Sequence, residues 1–191
     1  MEKTGVQKLA GMLKILVTIT YVCNLIALFL VPSAVLLQET GGLAAHLEGL
    51  LHPGEDDIVM AGVMFLPLAW LWVWHWMPAS VLTVFLLVSG GCTAVILWQG
   101  RRVLDTVLAG DTFTFGNAAN MRRAAMCCFL ISAAALGRTV WGLCFYRSLG
   151  PLLTYNALFV PIFLMAGLLC MVMSALFRQA AELKAENDLT I

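Results

Sequence analysis

Charge is scarce in this sequence: Asp, Glu, Lys and Arg supply only 12% of the 191 residues. Soluble domains carry roughly twice that share, so an ordinary water-exposed fold is excluded at the outset. No charge sign dominates either, because eleven Lys and Arg face eleven Asp and Glu. A strongly basic nucleic-acid binder and a strongly acidic tail protein are therefore both excluded, and no direct nucleic-acid contact is expected. None of the long apolar runs contains a carboxylate. Catalytic signatures are missing as well: there is no G-x-S-x-G, no phosphate-binding glycine loop and no H-E-x-x-H. No C-x-x-C pair occurs among the six cysteines, Cys23, Cys92, Cys127, Cys128, Cys144 and Cys170. Each lies inside an apolar run, where a thiol acts as a small, soft packing residue rather than a redox centre.

What is present is hydrophobic: 61% of the chain is apolar and the mean hydropathy is +0.92. Crossing a bilayer takes about 20 apolar residues. Five runs reach that length: Leu9–Leu37, Ile58–Met77, Ala79–Gln99, Ala124–Tyr146 and Leu152–Phe177. The first resembles a signal peptide in outline, but its apolar stretch is longer than the usual core of one, so an uncleaved span is expected.

The distribution of charge selects four of the five. Lys and Arg gather in cytoplasmic loops. Lys3 and Lys8 precede the first run and Lys14 lies near its start, Arg101, Arg102, Arg122 and Arg123 crowd the loop after the third, and Arg178 and Lys184 follow the last. The segment 38–57 carries Glu39, Glu48, Glu55, Asp56 and Asp57 without one Lys or Arg. Every basic cluster falls inside only if Ile58–Met77 does not span. The expected fold is thus all-α, a four-transmembrane-helix bundle with both termini cytoplasmic. Its spans are about 9–37, 79–100, 121–146 and 152–178, in a single membrane domain. The 38–78 segment is then an extracytoplasmic loop, 101–120 a cytoplasmic loop and 179–191 a cytoplasmic tail.

The loop 38–78 ends in Trp70, Trp72, Trp74 and Trp76, followed by Pro78. Trp favours the headgroup level, which makes this segment an interfacial anchor or an outer extension of the second span kinked at Pro78. A lid over an outward-facing cavity is the sharper alternative. His46, His52 and His75 lie in or beside the same loop, but the His46-x-Glu48-x-x-x-His52 spacing fits no strong ligand motif. No metal and no cofactor are expected.

Within the spans Arg138 stands out, since a charge at that depth costs at least about 2.5–3.5 kcal/mol unless paired, hydrated or snorkelling. Depth counting puts Asn24, Ser89 and Thr93 near its level. These four residues are the candidates for a polar core or a ligand pocket, with a structural, helix-fixing Arg138 as the plainer reading. On the inner side, Arg101–Leu108 reads as a continuation of the second helix, Gly110 as its stop and Thr114 as the N-cap of the next.

Two stretches are less generic. Gly110-Asp-Thr-Phe113-Thr114-Phe-Gly-Asn117, followed by Met121-Arg122-Arg123, resembles the inner loop "G-x-P-F-T-x-E-N … L-R-R" of a bacterial four-span family, domain of unknown function 2975 (DUF2975). The C-terminal stretch from Leu176 through Arg178, Glu186, Asn187 and Asp188 to Ile191 resembles that family's closing signature "V-F-R-x-G-x-x-L-x-E-E-N-D-x-T-V". The match runs over about residues 80–191. Thr112, Gly116 and Ala180 depart from the pattern, which removes an acidic contact at position 116. The resemblance implies a bacterial inner-membrane protein without enzymatic activity. Family members are often encoded beside a small helix-turn-helix regulator, so it also implies a cytoplasmic DNA-binding partner. Such a partner would dock on Arg101, Arg102, Phe113, Thr114, Asn117, Arg122, Arg123, Arg178, Glu186, Asn187 and Asp188. A regulatory or sensory membrane protein is therefore the expected function. The alternative is a small-molecule or lipid-binding or transport protein with its pocket around Arg138, although the spans lack the carboxylate that coupled transporters normally carry. The bilayer is the one certain partner, and a homo-oligomer is compatible with the sequence.

Overall fold

A computed structural model describes residues 5–39, 67–148, 150–153 and 155–189 of the chain. Four long helices carry nearly all of it: α1 (Gly5–Glu39), α2 (Met77–Ala109), α3 (Phe115–Tyr146) and α4 (Tyr155–Leu189). Two short 3-10 segments, η1 (Val73–His75) and η2 (Gly150–Leu153), precede α2 and α4. Among the described residues there is no strand. All four helices are long and apolar enough to cross a membrane. Their outward faces are studded with exposed Leu, Ile, Val, Met and Phe side chains, from Leu9 in α1 to Leu176 in α4. Such a surface is stable only against lipid. The chain divides into two compact units, residues 1–24 with 89–191 and residues 25–88.

In the larger unit, α3 and α4 form a tightly packed antiparallel hairpin. The reason lies in residue size. Hydrophobicity does not drive helices together inside lipid, so close van der Waals approach and interhelical hydrogen bonds must do so. The buried face of α3 is built from Ala118, Ala124, Ala125, Cys128, Ser132, Ala135, Thr139 and Gly142, with Ile131 the largest member. Small side chains at this helical spacing let the backbones approach. The Ser132 hydroxyl donates to the Val160 carbonyl at 2.9 Å, and that of Ser174 donates to the Ala118 carbonyl at 2.7 Å. Gly167 leaves room for the Phe129 ring, since a Cβ there would sit 2.7 Å from its Cε1. At the far end α3 stops at Arg147, whose left-handed backbone (φ 46, ψ 36) turns the chain into η2.

Two contacts set the register of the first 24 residues against α2 in the same unit. Lys14 Nζ meets Asp105 Oδ1 at 2.6 Å, and the Tyr21 and Trp98 rings lie 5.9 Å apart. Both pairs are seven residues apart on each helix, so the two ties agree on one antiparallel register.

In the smaller unit, Val35, Leu36, Ala69, Val73 and Ala79 form a buried cluster. Pro32 lies inside α1 and weakens the backbone ladder of the turn before it. There the Phe29 carbonyl accepts the Trp70 indole N–H at 3.3 Å. The tryptophan segment is neither a strand nor a straight start to α2. Residues 67–72 are helical, η1 follows, and Trp76 is extended (φ −116, ψ 109) before α2 begins. The Ser80 hydroxyl lies within hydrogen-bond distance of the Val73 and Trp76 carbonyls and secures this break. Pro78 falls in the first turn of α2, where its missing N–H would be unpaired in any case. Trp72, Trp74 and Trp76 are exposed while Trp70 turns toward α1. The acidic stretch of residues 40–66, including His46 and His52, lies outside the described residues.

Candidate functional site

The turn between α2 and α3 and the last turns of α4 come together at one end of the larger unit. Gly110 ends α2 as expected, with φ 84, a backbone conformation that costs glycine nothing. The Gly110 N–H bonds the Val107 carbonyl at 3.1 Å and the Asp111 N–H bonds that of Thr106 at 3.0 Å. This crossed pair satisfies the carbonyls that the helix end would leave open. Three residues later Thr114, extended at φ −129 and ψ 150, caps α3 by accepting from the Asn117 N–H at 3.2 Å.

Asn117 is the keystone of the turn. It is 1% exposed, and its Nδ2 donates both to Thr106 Oγ1 at 2.6 Å and to the Thr112 carbonyl at 2.7 Å. The Thr106 hydroxyl in turn donates to the Val103 carbonyl at 2.7 Å. The amide therefore staples the first turn of α3 to the last turn of α2. Its Oδ1 is buried with no hydrogen-bond partner among the described residues.

The end of α4 joins this turn through two contacts. Lys184 Nζ lies 2.7 Å from Asp111 Oδ1, and the Phe113 and Phe177 rings stand 6.1 Å apart. Neighbouring Arg178 pairs with Glu182 one turn on, at 3.0 Å. Of the residues singled out from the sequence, Phe113, Thr114 and Asn117 are thus drawn into one assembly, with Phe113 and Phe115 still exposed. Glu186 and Asn187 are exposed farther along α4; the side chain of Asp188 lies outside the described residues. Arg102, Arg122 and Arg123 are exposed and Arg101 is half-buried. Arg102 stacks over Trp98, 5.7 Å from the ring centre. Sequence reasoning passed over Thr106, Asp111, Ser174 and Lys184 as parts of this assembly. The opposite charges of Asp111 and Lys184, each inside a recognisable motif, were the available signal.

The second candidate group is less unified. The Asn24 Oδ1 and Ser89 Oγ atoms are buried without a hydrogen-bond partner among the described residues. The Thr93 hydroxyl turns back to the Ser89 carbonyl at 2.8 Å, a bond within one helix that joins nothing across the bundle. Arg138 is half-buried and is not without a partner. Four of the six cysteines neighbour one another across helices in a way the sequence does not reveal, Cys92 beside Cys127 and Cys128 beside Cys170. All six are free thiols, and no group of metal-ligating side chains occurs among the described residues.

Residues 35–191 match the family model described as protein of unknown function (DUF2975). No curated protein and no solved structure matches the chain.

Proposed function

Because the chain belongs to the DUF2975 family, whose function is unknown, we propose for it a regulatory role, as a four-span protein that holds or releases a soluble partner. One observation carries the reading. The two family-like motifs, more than fifty residues apart in sequence, converge on one exposed face through the Asp111–Lys184 ion pair and the Phe113–Phe177 contact. A face assembled from two helix ends can exist in two states, joined or parted. A ligand or stimulus that favours one of them shifts the affinity for anything bound there. The partner that fits is a small helix-turn-helix regulator on the cytoplasmic side of a bacterial inner membrane. The protein itself performs no chemistry in this reading.

Affinity purification of the full chain from native membranes tests it. A helix-turn-helix protein should be enriched with the intact chain and lost when residues 179–191 are deleted. Recovery of no such protein, together with unchanged transcripts on deletion, refutes the proposal. A second reading, a polar ligand between the spans, draws support from the unpartnered Asn24 and Ser89 acceptors. It requires that Asn24→Leu weaken binding of a hydrogen-bond-donating ligand while leaving partner recovery unchanged.

A further inference from the structure

Arg101, Arg102, Arg122 and Arg123 take no part in the turn assembly, yet the register set by Asn117 places them together. The Asn117–Thr106 bond joins α2 and α3 at one level. From that tie Arg102 lies four residues back along α2 and Arg122 five residues on along α3. At 1.5 Å per residue these are about 6 and about 7.5 Å in the same direction, toward the middle of the spans. Arg101 and Arg123 follow on each helix. The four arginine positions thus occupy one band, about 3 Å deep along the helix axes.

Three further observations say what the band faces. First, none of the ion pairs Lys14–Asp105, Arg178–Glu182 and Lys184–Asp111 draws on these four. Second, Arg122 and Arg123 lie on the outward stripe of α3, continuous with exposed Met126 and Leu130 one and two turns on. A charge directly below a lipid-facing apolar stripe sits at headgroup depth. Third, the Trp98 and Tyr21 rings lie one turn closer to the middle than Arg102, which stacks on Trp98. Trp and Tyr settle where acyl chains meet headgroups, so the next turn outward is the phosphate layer.

We propose that Arg101, Arg102, Arg122 and Arg123 form a binding surface for anionic phospholipid headgroups. Guanidinium matches phosphate through paired, charge-assisted hydrogen bonds, and four guanidiniums at one level favour an anionic ligand. The surface is separate from the turn face proposed for a soluble partner: Arg178 on α4 lies beyond the Ser174–Ala118 tie, a little over two turns from Arg122 on the aqueous side, and is already paired.

The test uses the full chain in nanodiscs of phosphatidylcholine, alone or with an equal share of phosphatidylglycerol. Lipids retained after release from the disc are counted by native mass spectrometry. The wild-type chain is expected to retain phosphatidylglycerol preferentially. Near an anionic surface each Lys or Arg is worth about 1 kcal/mol. The R122Q/R123Q chain is therefore expected to lose affinity for phosphatidylglycerol by about 30-fold. R122K/R123K keeps most of the preference, and R178Q changes nothing. Retention by R122Q/R123Q equal to wild type overturns the proposal, as does an equal loss with R178Q. Displacement of the lipid by inorganic phosphate at matched concentration also overturns it, because the site would then take a soluble anion. Should the glutamine pair fail to assemble, the wild-type chain decides alone. Raising the salt must release phosphatidylglycerol before phosphatidylcholine, and retention indifferent to salt counts against the surface.

Discussion

Replacing Thr106 by Val should cost more than replacing Asn117 by Ala, although the two side chains share one hydrogen bond. In the Thr106→Val chain the Asn117 Nδ2 keeps the Thr112 carbonyl but loses Oγ1, leaving one N–H buried and unpaired. Such a group costs about 1–3 kcal/mol. In the Asn117→Ala chain the Thr106 hydroxyl still donates to Val103, so only acceptors are left over, a lone pair on Oγ1 and the Thr112 carbonyl. Two bonds at about 1 kcal/mol each are lost, but the buried Oδ1, without a partner among the described residues, disappears with them and offsets much of that loss. The net effect of Asn117→Ala is about 1 kcal/mol or less. Adding it to Thr106→Val removes the stranded N–H, so the double variant should be no less stable than Thr106→Val alone. The expected coupling is about 1–2 kcal/mol. Unfolding in mixed micelles, followed for the four chains of the cycle, measures it. Strictly additive losses would refute the stapling role of Asn117.

Other outcomes follow from the same contacts. Gly167→Ala places a Cβ against the Phe129 ring and should destabilise the α3–α4 hairpin by about 1–3 kcal/mol, whereas Gly91→Ala, with nothing within 4 Å of its Cβ, should not; equal melting temperatures for the two would contradict the packing described. Ser174→Ala removes one bond to the Ala118 carbonyl and is expected to cost about 0.6 kcal/mol, the usual scale for such bonds in membranes. Asp111→Asn and Lys184→Gln break a pair that is about half exposed, so unfolding should change by less than about 0.5 kcal/mol. Partner recovery should nevertheless fall with both; stability lost in step with recovery would mean that the pair serves the fold rather than the docking face.

The four long apolar helices, and the stop and start at Gly110 and Thr114, were legible because each rests on a local property. Apolar length identifies the helices, the absence of carboxylates confirms them, and Gly110 and Thr114 stop and start a helix wherever they fall in this order. Contacts across the bundle were not legible. Asp111 and Lys184 are 73 residues apart, and only the packing of α3 on α4 sets them opposite one another. Cys127 and Cys128 read as a packing doublet in sequence; the structure turns them to different neighbours, Cys92 on α2 and Cys170 on α4, because adjacent helical residues face about 100° apart. The partner of Arg138 was not legible either, because depth counting locates carboxylates and misses other groups. The Trp-rich segment could not be placed from periodicity, since a break at Trp76 resets the phase between residues 67–75 and α2.

The most direct measurement bears on the turn face itself. A photo-crosslinking amino acid placed at Phe113, exposed and beside Phe177, would be activated in living cells and its adducts identified by mass. The expected adduct is a small soluble helix-turn-helix protein, absent when residues 179–191 are removed. Adducts confined to lipid, or to other copies of this chain, would contradict a regulatory docking role for the joined ends of α2, α3 and α4.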